Sequence, residues 1–328
     1  MHILIIGAAG MVGRKLAEKL AHDGRLGGKE ITDLTLYDVV AAQKPVGAKF
    51  PVHIISGDLP AAGETDKLVA GKPDVIFHLA AIVSGEAEQE FDKGYRINLV
   101  GTQNLLESVR HAYAKDARKP RIVFTSSIAV FGAPFPEKIG DEFLSAPLTS
   151  YGTQKAIGEL LVSDYTRKGM LDGISIRLPT ICVRPGAPNK AASGFFSNIM
   201  REPMAGKEAV LPVSEDVMHW HASPRAAVAF LQHAATIDGE KLGARRALSM
   251  PGLGATVGEQ IAALRKIAGE HVVKRIRREP DAFIQKIVSG CPRTFETKRA
   301  VSLGFKAESS FEDIIRVHID DELGGKIA

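Results

Sequence analysis

The sequence has few cysteines and no long apolar run. Cys182 and Cys291 are the only cysteines in 328 residues, which excludes a disulfide framework or cysteine-based zinc cluster and is typical of a reducing cytoplasm. No apolar stretch reaches the roughly 18 residues that a membrane-spanning helix needs, and the N-terminal segment lacks the basic region and cleavage site of a secretory signal. We therefore expect a cytoplasmic protein with no membrane partner.

An excess of one charge is also missing. The formal net charge is +4, with 45% apolar and 24% charged residues, as in ordinary globular proteins. The densest basic run, at 274–278, is typical of a solvated face rather than of a nucleic-acid patch. Composition thus predicts no nucleic-acid partner, and the length suits a large domain with a smaller one.

Short apolar strands alternate with helical patterns in the first half. Helical spacing occurs over 11–22, over 99–113 and after Tyr151, and apolar strands are predicted at 2–7, 34–38, 52–58, 74–81, 121–127 and 174–180. This alternation indicates a parallel sheet covered on both faces. We predict a Rossmann-type, doubly wound α/β domain over residues 1–181 and a smaller, mostly substrate-binding lobe over 182–328. The lobe has helical patterns near 193–206, 223–236 and 256–269, and a late strand near 247–250 is a candidate to rejoin the sheet.

Three glycines follow the first strand, at Gly7, Gly10 and Gly13. Gly7 permits a tight turn, Gly10 lets the backbone approach a pyrophosphate, and Gly13 lets helix and strand pack closely. The N–H groups at the start of the helix then face the anion. The spacing is G-x-x-G-x-x-G rather than G-x-G-x-x-G, so a tight turn without a ligand remains the alternative.

Asp38 ends the second strand, 25 residues beyond Gly13. A carboxylate there can accept hydrogen bonds from both adenosine ribose hydroxyls, and it repels a 2′-phosphate, which favours NAD over NADP. The alternative is a polar strand end, because Asp commonly begins turns.

Tyr151 and Lys155 lie four residues apart, so a helix places them on one face. Ordinary surface neighbours share this spacing. A phenol with a pKa near ~10 is a poor base at neutral pH, but an adjacent ammonium favours the phenolate and makes the phenol a usable general base.

Several motifs occur in a fixed order: G-A-A-G-M-V-G at 7–13, D-L at 58–59, H-L-A-A at 78–81, N-L-V-G-T at 98–102, S-S-I-A-V-F-G at 126–132 and Y-G-T-Q-K at 151–155. Over about residues 1–235 the chain resembles the extended short-chain dehydrogenase/reductase family, which includes the nucleotide-sugar epimerases. The resemblance implies the catalytic residues Ser127, Tyr151 and Lys155. It also implies an NAD site formed by Gly7, Gly10, Met11, Val12, Gly13, Asp38, Asp58, Leu59, Ala80, Ala81, Asn98, Tyr151, Lys155 and Pro179.

The same resemblance implies roles for particular residues. Asp58 and Leu59 would lie beside adenine, Ala80 and Ala81 would line the cofactor, and Asn98 would hold the backbone near the active site. It further implies a homodimer in which two helices of each subunit form a four-helix bundle. The apolar residues available for that bundle are Leu105, Leu106, Leu160 and Leu161.

The chain departs from the nucleotide-sugar enzymes where they bind their substrate. Thr180 replaces an expected Asn. In the stretch that begins at His221, Ser223 and Pro224 replace the paired acids, and no Arg lies two to four residues before it, although a diphosphate needs cations or N–H donors. Arg184 or Lys190 could instead pair with one carboxylate, although Arg184 could also be a loop charge. The predicted substrate residues are Ser127, Tyr151, Thr180, Arg184, Asn189 and Lys190.

Two further segments, at 193–206 and 219–226, resemble a member of the family that oxidises a four-carbon sugar acid. We therefore expect NAD-dependent oxidation of the C2 hydroxyl of a small sugar acid, with D-erythronate as the expected substrate. The alternatives are a nucleotide-sugar epimerase or dehydratase, a non-catalytic NAD(P)-binding sensor, and an NADPH-dependent carbonyl reductase, which Asp38 disfavours. His219 and His221 alternate on a strand-like stretch with no third ligand nearby in the sequence, so we predict no metal site.

Overall fold

A computed structural model describes residues 1–186 and 192–328. The strands are β1 (His2–Ile6), β2 (Arg25–Leu26), β3 (Lys29–Glu30), β4 (Asp33–Asp38), β5 (Val52–Ser56), β6 (Val75–His78), β7 (Arg121–Ser127), β8 (Asp172–Leu178), β9 (Thr180–Ile181), β10 (Ala209–Leu211), β11 (Met218–Ala222), β12 (Ala247–Ser249), β13 (Leu253–Thr256) and β14 (Ile276–Arg278).

The helices are α1 (Met11–Asp23), α2 (Glu64–Ala70), α3 (Ser84–Gln89), α4 (Phe91–Gly94), α5 (Gly101–Asp116), α6 (Ser150–Arg167), α7 (Phe195–Met204), α8 (Pro224–Thr236), α9 (Val257–Ala268), α10 (Glu270–Val273), α11 (Ala282–Ser289), α12 (Lys298–Ser302) and α13 (Phe311–Glu322). A π-helical segment, Tyr95–Val100, leads into α5. None of the helices in these two described ranges combines the length and apolar character that a membrane crossing requires.

A seven-stranded sheet has the order β12-β8-β7-β6-β1-β4-β5. β1 pairs in parallel with β4 and β6, and the outer pairs β4–β5 and β6–β7 are parallel as well. The predicted Rossmann-type α/β fold is therefore confirmed. β12 lies at the edge of this sheet, so the late strand near 247–250 does rejoin it. Because the carboxyl ends of parallel strands share one edge, β1, β4, β6 and β7 present the residues that follow them along that edge.

The chain separates into two compact units. The first comprises Met1–Val130, Thr149–Arg177 and Val228–Leu248, and the second comprises Phe131–Leu148, Leu178–Ala227 and Ser249–Ala328. The division into an NAD-binding domain over residues 1–181 and a mostly substrate-binding lobe over residues 182–328 stays a prediction.

The core of the first unit includes residues from β1, β6, β7, α5 and α6. Leu105 and Leu106 belong to it and are 0% and 1% exposed. Some of the four leucines available for an intersubunit surface were expected to face the home sheet, and Leu105 and Leu106 are the two that do so fully. Leu161 is half-buried against the same core, whereas Leu160 on α6 is 70% exposed.

The second unit has a separate core, formed largely by apolar residues of α7, α9 and α13. It also contains a three-stranded sheet of order β13-β11-β9 and a two-stranded sheet of β10 and β14. β11 pairs antiparallel with β13 and parallel with β9. The helices predicted near 193–206, 223–236 and 256–269 correspond to α7, α8 and α9.

Candidate active site

The glycine turn brings β1, β6 and α1 into close contact. Gly7 has φ +94°, and a Cβ there would lie 2.5 Å from the backbone N of Ala80. A Cβ at Gly13 would lie 2.2 Å from the carbonyl O of Gly7. Both contacts are with backbone atoms, which cannot rotate away, so these two positions require glycine.

The turn also leaves the start of α1 uncapped. Gly10 is the N-cap of α1, has φ −66° and ψ 160°, and makes no side-chain cap hydrogen bond. Gly10 is exposed, and Met11 and Val12 are half-buried in the first turn. An exposed helix start that carries no side-chain cap fits a phosphate group, because the first N–H groups of a helix and its dipole favour an anion.

Asp38 joins the end of β4 to this turn. Its Oδ2 accepts a hydrogen bond from the backbone N of Ala9 at 2.9 Å, and its Oδ1 accepts one from the backbone N of Val39 at 2.7 Å. An ionised carboxylate has about four acceptor positions, so these bonds leave capacity for ribose hydroxyls. The residues present therefore fit a dinucleotide whose ribose carries no 2′-phosphate.

The predicted adenine residues follow β5. Asp58 forms an ion pair with Arg96, which sequence reasoning missed. Leu59 is 5% exposed and packs closely against Gly101. A Cβ at Gly101 would lie 3.2 Å from Cδ2 of Leu59. Both residues are thus held against the π-helical segment and the start of α5.

Asn98 lies in the π-helical segment and is 2% exposed. Its Oδ1 accepts from the backbone N of Ile82 at 2.9 Å, and its Nδ2 donates to Gln154 Oε1 at 2.7 Å. The amide therefore ties the loop after β6 to α6. The same loop contains Ala80 and Ala81, both half-buried, and the backbone N of Ala80 donates to the carbonyl O of Ile6 at 3.0 Å.

Tyr151 and Lys155 lie on the first turns of α6. The side chain of Thr149 caps this helix by accepting from the backbone N of Gly152 at 3.1 Å. Lys155 is 2% exposed, and its Nζ donates to the carbonyl O of Thr125 at 2.7 Å. The same Nζ lies 4.8 Å from the ring centroid of Phe124 and 5.7 Å from that of Tyr151. The amine is therefore held between β7 and the phenol.

Close packing of α6 on β7 produces this burial. A Cβ at Gly158 would lie 2.7 Å from Cζ of Phe124, so only a glycine lets the ring fit under the helix. Thr125, Phe124 and Gly158 were missed by sequence reasoning, because nothing in the motif spacing marks a backbone carbonyl or a ring as a partner of Lys155.

Burial strongly affects the titration of Lys155. Loss of solvent lowers the pKa of the Lys155 ammonium to about 7, and the charge of Glu159 acts in the opposite direction. Burial and the charge of Lys155 lower the pKa of His78 to about 3, so this histidine is neutral. Lys155 thus changes charge near neutral pH, beside a phenol that needs a positive neighbour to ionise.

The two serines at the end of β7 differ in surroundings. Ser126 is 3% exposed, and its Oγ donates to Glu159 Oε1 at 2.5 Å. Ser127 is half-buried, and its Oγ accepts from the backbone N of Ala129 at 3.1 Å. Since side chains alternate along a strand, the two hydroxyls point to opposite sides. Ser127 is the more accessible of the two.

The predicted substrate residues Thr180 and Arg184, and the cofactor residue Pro179, lie in the second unit. Pro179 and Thr180 are buried, and Thr180 Oγ1 lies 2.7 Å from His219 Nε2. Arg184 donates through Nε to the carbonyl O of Ile181 at 2.9 Å and through Nη2 to Ser193 Oγ at 3.2 Å. The predicted residues Asn189 and Lys190 lie outside the described residues.

His219 and His221 are both buried on β11, with ring centroids 5.5 Å apart. His219 stacks on Phe196 at 4.9 Å, and Gln260 Nε2 lies 2.9 Å from His221 Nε2. Burial lowers the pKa of His219 to about 4 and that of His221 well below its ordinary value. Within the described ranges, no group of three His, Cys, Asp or Glu side chains is arranged to hold a metal ion.

Comparison with known proteins gives relatives over the whole chain. The D-erythronate dehydrogenase of Cupriavidus necator is 44% identical over 325 residues, covering 98% of each chain. The D-erythronate dehydrogenase of Haemophilus influenzae is 41% identical over 325 residues, covering 98% of this chain and all of the relative. A crystal structure described as the nucleoside-diphosphate-sugar epimerase from Agrobacterium tumefaciens is 66% identical, with a TM-score of 0.98, and covers 100% of this chain and 96% of its own.

The family comparison agrees with the motifs and with the fold. Residues 3–238 match the description "NAD dependent epimerase/dehydratase family". This range contains the glycine turn, Asp38, Asn98 and the Ser127, Tyr151 and Lys155 set, and it supports NAD as the cofactor. The resemblance drawn from the ordered motifs is confirmed, and the chain belongs to the NAD dependent epimerase/dehydratase family of extended short-chain dehydrogenases/reductases.

Proposed function

We propose that this chain is an NAD-dependent dehydrogenase that oxidises the C2 hydroxyl of D-erythronate to the 2-oxo acid. The observation that carries the proposal is end-to-end similarity to two D-erythronate dehydrogenases, at 44% and 41% identity. The buried Lys155 beside Tyr151 supports it, because such a pair is suited to removing a proton from a hydroxyl.

Each active-site residue has a distinct chemical role in this proposal. Ser127 donates or accepts a hydrogen bond that orients the substrate hydroxyl, and Tyr151, as phenolate, takes the hydroxyl proton. Lys155 stabilises the phenolate by its charge and holds the nicotinamide ribose. NAD⁺, when bound, supplies the acceptor for the hydride that leaves C2. Asp38, Gly10 and the start of α1 would hold the adenosine ribose and the pyrophosphate.

A nucleotide-sugar epimerase is the second candidate, because the 66% identical crystal structure carries that description. The sequence departs from such enzymes at two places, with Thr180 at the expected Asn and no Arg two to four residues before His221. In the same stretch, Ser223 hydrogen-bonds Glu308, so this hydroxyl supports the fold. A diphosphate would therefore lack the cation that usually meets it.

A substrate panel separates the two candidates. D-erythronate, L-threonate and their stereoisomers are incubated with NAD⁺ beside UDP-glucose and UDP-galactose, and NADH absorbance is followed. We expect NADH with D-erythronate and no reaction with UDP-sugars. Conversion of a UDP-sugar without NADH, and no reaction with any sugar acid, would establish the epimerase instead. Binding of NAD⁺ with no turnover of either class would indicate a non-catalytic sensor.

We assign the substrate carboxylate to Arg184, with Lys190 as the competing cation. A guanidinium can bind a carboxylate through two parallel hydrogen bonds. One charge-assisted hydrogen bond contributes roughly 1.5–3 kcal/mol, so Arg184→Ala should raise the KM for D-erythronate about ten- to a hundredfold. Lys190→Ala is the matched variant. An unchanged KM in Arg184→Ala together with a raised KM in Lys190→Ala would transfer the role to Lys190.

Asp38 should make the enzyme strongly prefer NAD⁺ over NADP⁺. The 2′-phosphate of NADP⁺ would meet a carboxylate that is fixed by the backbone N–H groups of Ala9 and Val39. Asp38→Ala removes this repulsion. The ratio of kcat/KM for NAD⁺ to kcat/KM for NADP⁺ should therefore fall, mainly because kcat/KM for NADP⁺ rises. Equal use of both cofactors by the wild-type enzyme would show that the role given to Asp38 is wrong.

We further propose a homodimer formed through the outward faces of α5 and α6. Leu160 on α6 is 70% exposed and Val100, just before α5, is 40% exposed, so apolar side chains are available on this side of the first unit. Sedimentation velocity at micromolar concentration should give a species of twice the 35.2 kDa chain mass. A single species at the monomer mass would contradict the proposal.

We place the enzyme in the cytoplasm as part of the same proposal. Cys182 and Cys291 are both free, Cys182 is buried, and burial raises the pKa of its thiol to about 12. Neither cysteine needs an oxidising compartment. Recovery of the protein in the cytosolic fraction would agree with this location, and recovery in a secreted fraction would contradict it.

A further inference from the structure

A buried carboxylate lies directly behind the proposed catalytic pair. Glu159 is on α6, one helical turn beyond Lys155, and is 4% exposed. Its Oε1 accepts from Ser126 Oγ at 2.5 Å and from Arg177 Nε at 2.9 Å, and its Oε2 accepts from Arg177 Nη2 at 2.7 Å. Three hydrogen bonds therefore fix one carboxylate between α6, β7 and β8.

The ion pair itself is nearly out of solvent. The side chains of Arg177 and Glu159 are 13% and 5% exposed. Desolvation of two charges costs about as much as their attraction returns, so replacing such a pair with apolar residues is often neutral or stabilising. Stability alone is therefore a weak explanation for these charges, and their position next to Lys155 suggests another.

Glu159 and Lys155 hold consecutive residues of β7. Lys155 Nζ binds the carbonyl O of Thr125, and Glu159 binds the hydroxyl of Ser126. The next residue is Ser127. Residues 151, 155 and 159 are spaced by four along α6, so they lie along one side of the helix. One side of α6 therefore carries the phenol of Tyr151, the amine of Lys155 and the carboxylate of Glu159. The amine and the carboxylate both bind the end of β7, where Ser127 lies.

We propose that Glu159, held by Arg177, is a positioning residue that fixes the Ser127 end of β7 against α6 and keeps the proton on Lys155. This inference rests on the proposed dehydrogenase function, because the positioned groups are its catalytic residues. Glu159 itself is too deeply buried to be assigned a contact with substrate.

The charges around Lys155 support a specific effect of Glu159. From α6 itself Lys155 faces Tyr151 and Glu159; from β6 it faces His78, which burial keeps neutral. From β7 it faces a carbonyl and the ring of Phe124, neither of which titrates. The carboxylate of Glu159 raises the pKa of Lys155 against the effect of burial. Removing that charge should therefore make Lys155 lose its proton at lower pH.

The test compares Glu159→Gln with the double variant Glu159→Gln/Arg177→Gln. The single variant leaves the buried guanidinium of Arg177 unpaired and could fold poorly for that reason, whereas the double variant leaves no unpaired buried charge. The pH dependence of kcat/KM for D-erythronate and of the Kd for NAD⁺ are both measured. In Glu159→Gln we expect the alkaline limb of kcat/KM, and the pH at which NAD⁺ binding weakens, to fall by about one pH unit, the lower end of the effect of a close charge. In the double variant both should fall in the same direction but by less, because the charge of Arg177 is removed as well. Glu159→Asp should restore most of the wild-type profile.

Glu107→Gln is the matched control. Glu107 also has an arginine partner, Arg110, and a hydroxyl partner, Tyr165, but it lies on α5 and is 34% exposed. Its removal should leave the alkaline limb unchanged. A folded double variant with a wild-type pH profile in both measurements would overturn the proposal. If no sugar acid is a substrate, the dehydrogenase proposal fails, and the NAD⁺ binding profile still decides the role of Glu159.

Discussion

Tyr151→Phe should remove nearly all turnover while leaving NAD⁺ affinity almost unchanged. The substitution deletes one oxygen from a half-buried ring on the first turn of α6. That oxygen is the proposed acceptor of the C2 hydroxyl proton, and general-base catalysis contributes about 10²–10⁴ in rate. The ring and its neighbour Lys155 stay in place, so binding of the dinucleotide should persist.

The measurement is kcat for D-erythronate together with the Kd for NAD⁺ from fluorescence titration. Tyr165→Phe is the matched control, because Tyr165 lies on the same helix and its hydroxyl binds Glu107 away from Lys155. Burial raises the pKa of Tyr165 to about 12, so it is not a base near neutral pH. A near-normal kcat in Tyr151→Phe would exclude the proposed mechanism.

Lys155→Met should abolish activity and yet stabilise the fold. Activity should fall because the phenolate loses its positive neighbour, and NAD⁺ affinity should fall about tenfold or more with the loss of a charged hydrogen bond. Stability should rise because the wild-type protein buries an ammonium that is 2% exposed. Methionine fills a similar volume without a charge.

The gain in stability from Lys155→Met should increase as the pH falls. The folded-state pKa of Lys155 is about 7, below its ordinary value of 10.5. Burial of this group therefore costs nothing above pH 10.5, where it is neutral in both states, and costs progressively more as the pH falls toward 7. The advantage of Lys155→Met should grow over that window and level off below it, at about 1–3 kcal/mol after the loss of the bond to Thr125.

Chemical denaturation at several pH values measures this gain. Lys168→Met, at the exposed C-terminal end of α6, is the control for replacing lysine by methionine, and its effect on the free energy of unfolding should not vary over the same window. A Lys155→Met protein that is less stable than the wild type at pH 7 would contradict the expectation. It would indicate that the contacts of the ammonium with Thr125 and Phe124 outweigh its desolvation.

Local sequence signals were sufficient for the central sheet. Apolar strands of four to seven residues, such as β1 and β7, must be buried on both faces, and this requirement alone predicts a parallel sheet with helices on both sides. The need for glycine at positions 7 and 13 was also predictable, because the backbone of a neighbouring segment comes too close there to leave room for a side chain. The strand predicted over 74–81 was too long, since β6 ends at His78 and the chain then turns toward Asn98.

The sequence by itself determined the order of the motifs, and through it the family, NAD and the set Ser127, Tyr151 and Lys155. Only the tertiary structure decided the surroundings of that set. Thr125 and Phe124 precede Lys155 by 30 and 31 residues and Arg177 follows it by 22, so no spacing rule connects them. They meet because α6 packs closely on β7 at Gly158 and β8 lies beside β7 in the sheet. The burial that makes Lys155 titrate near neutral pH is a property of that packing, and no local pattern records it.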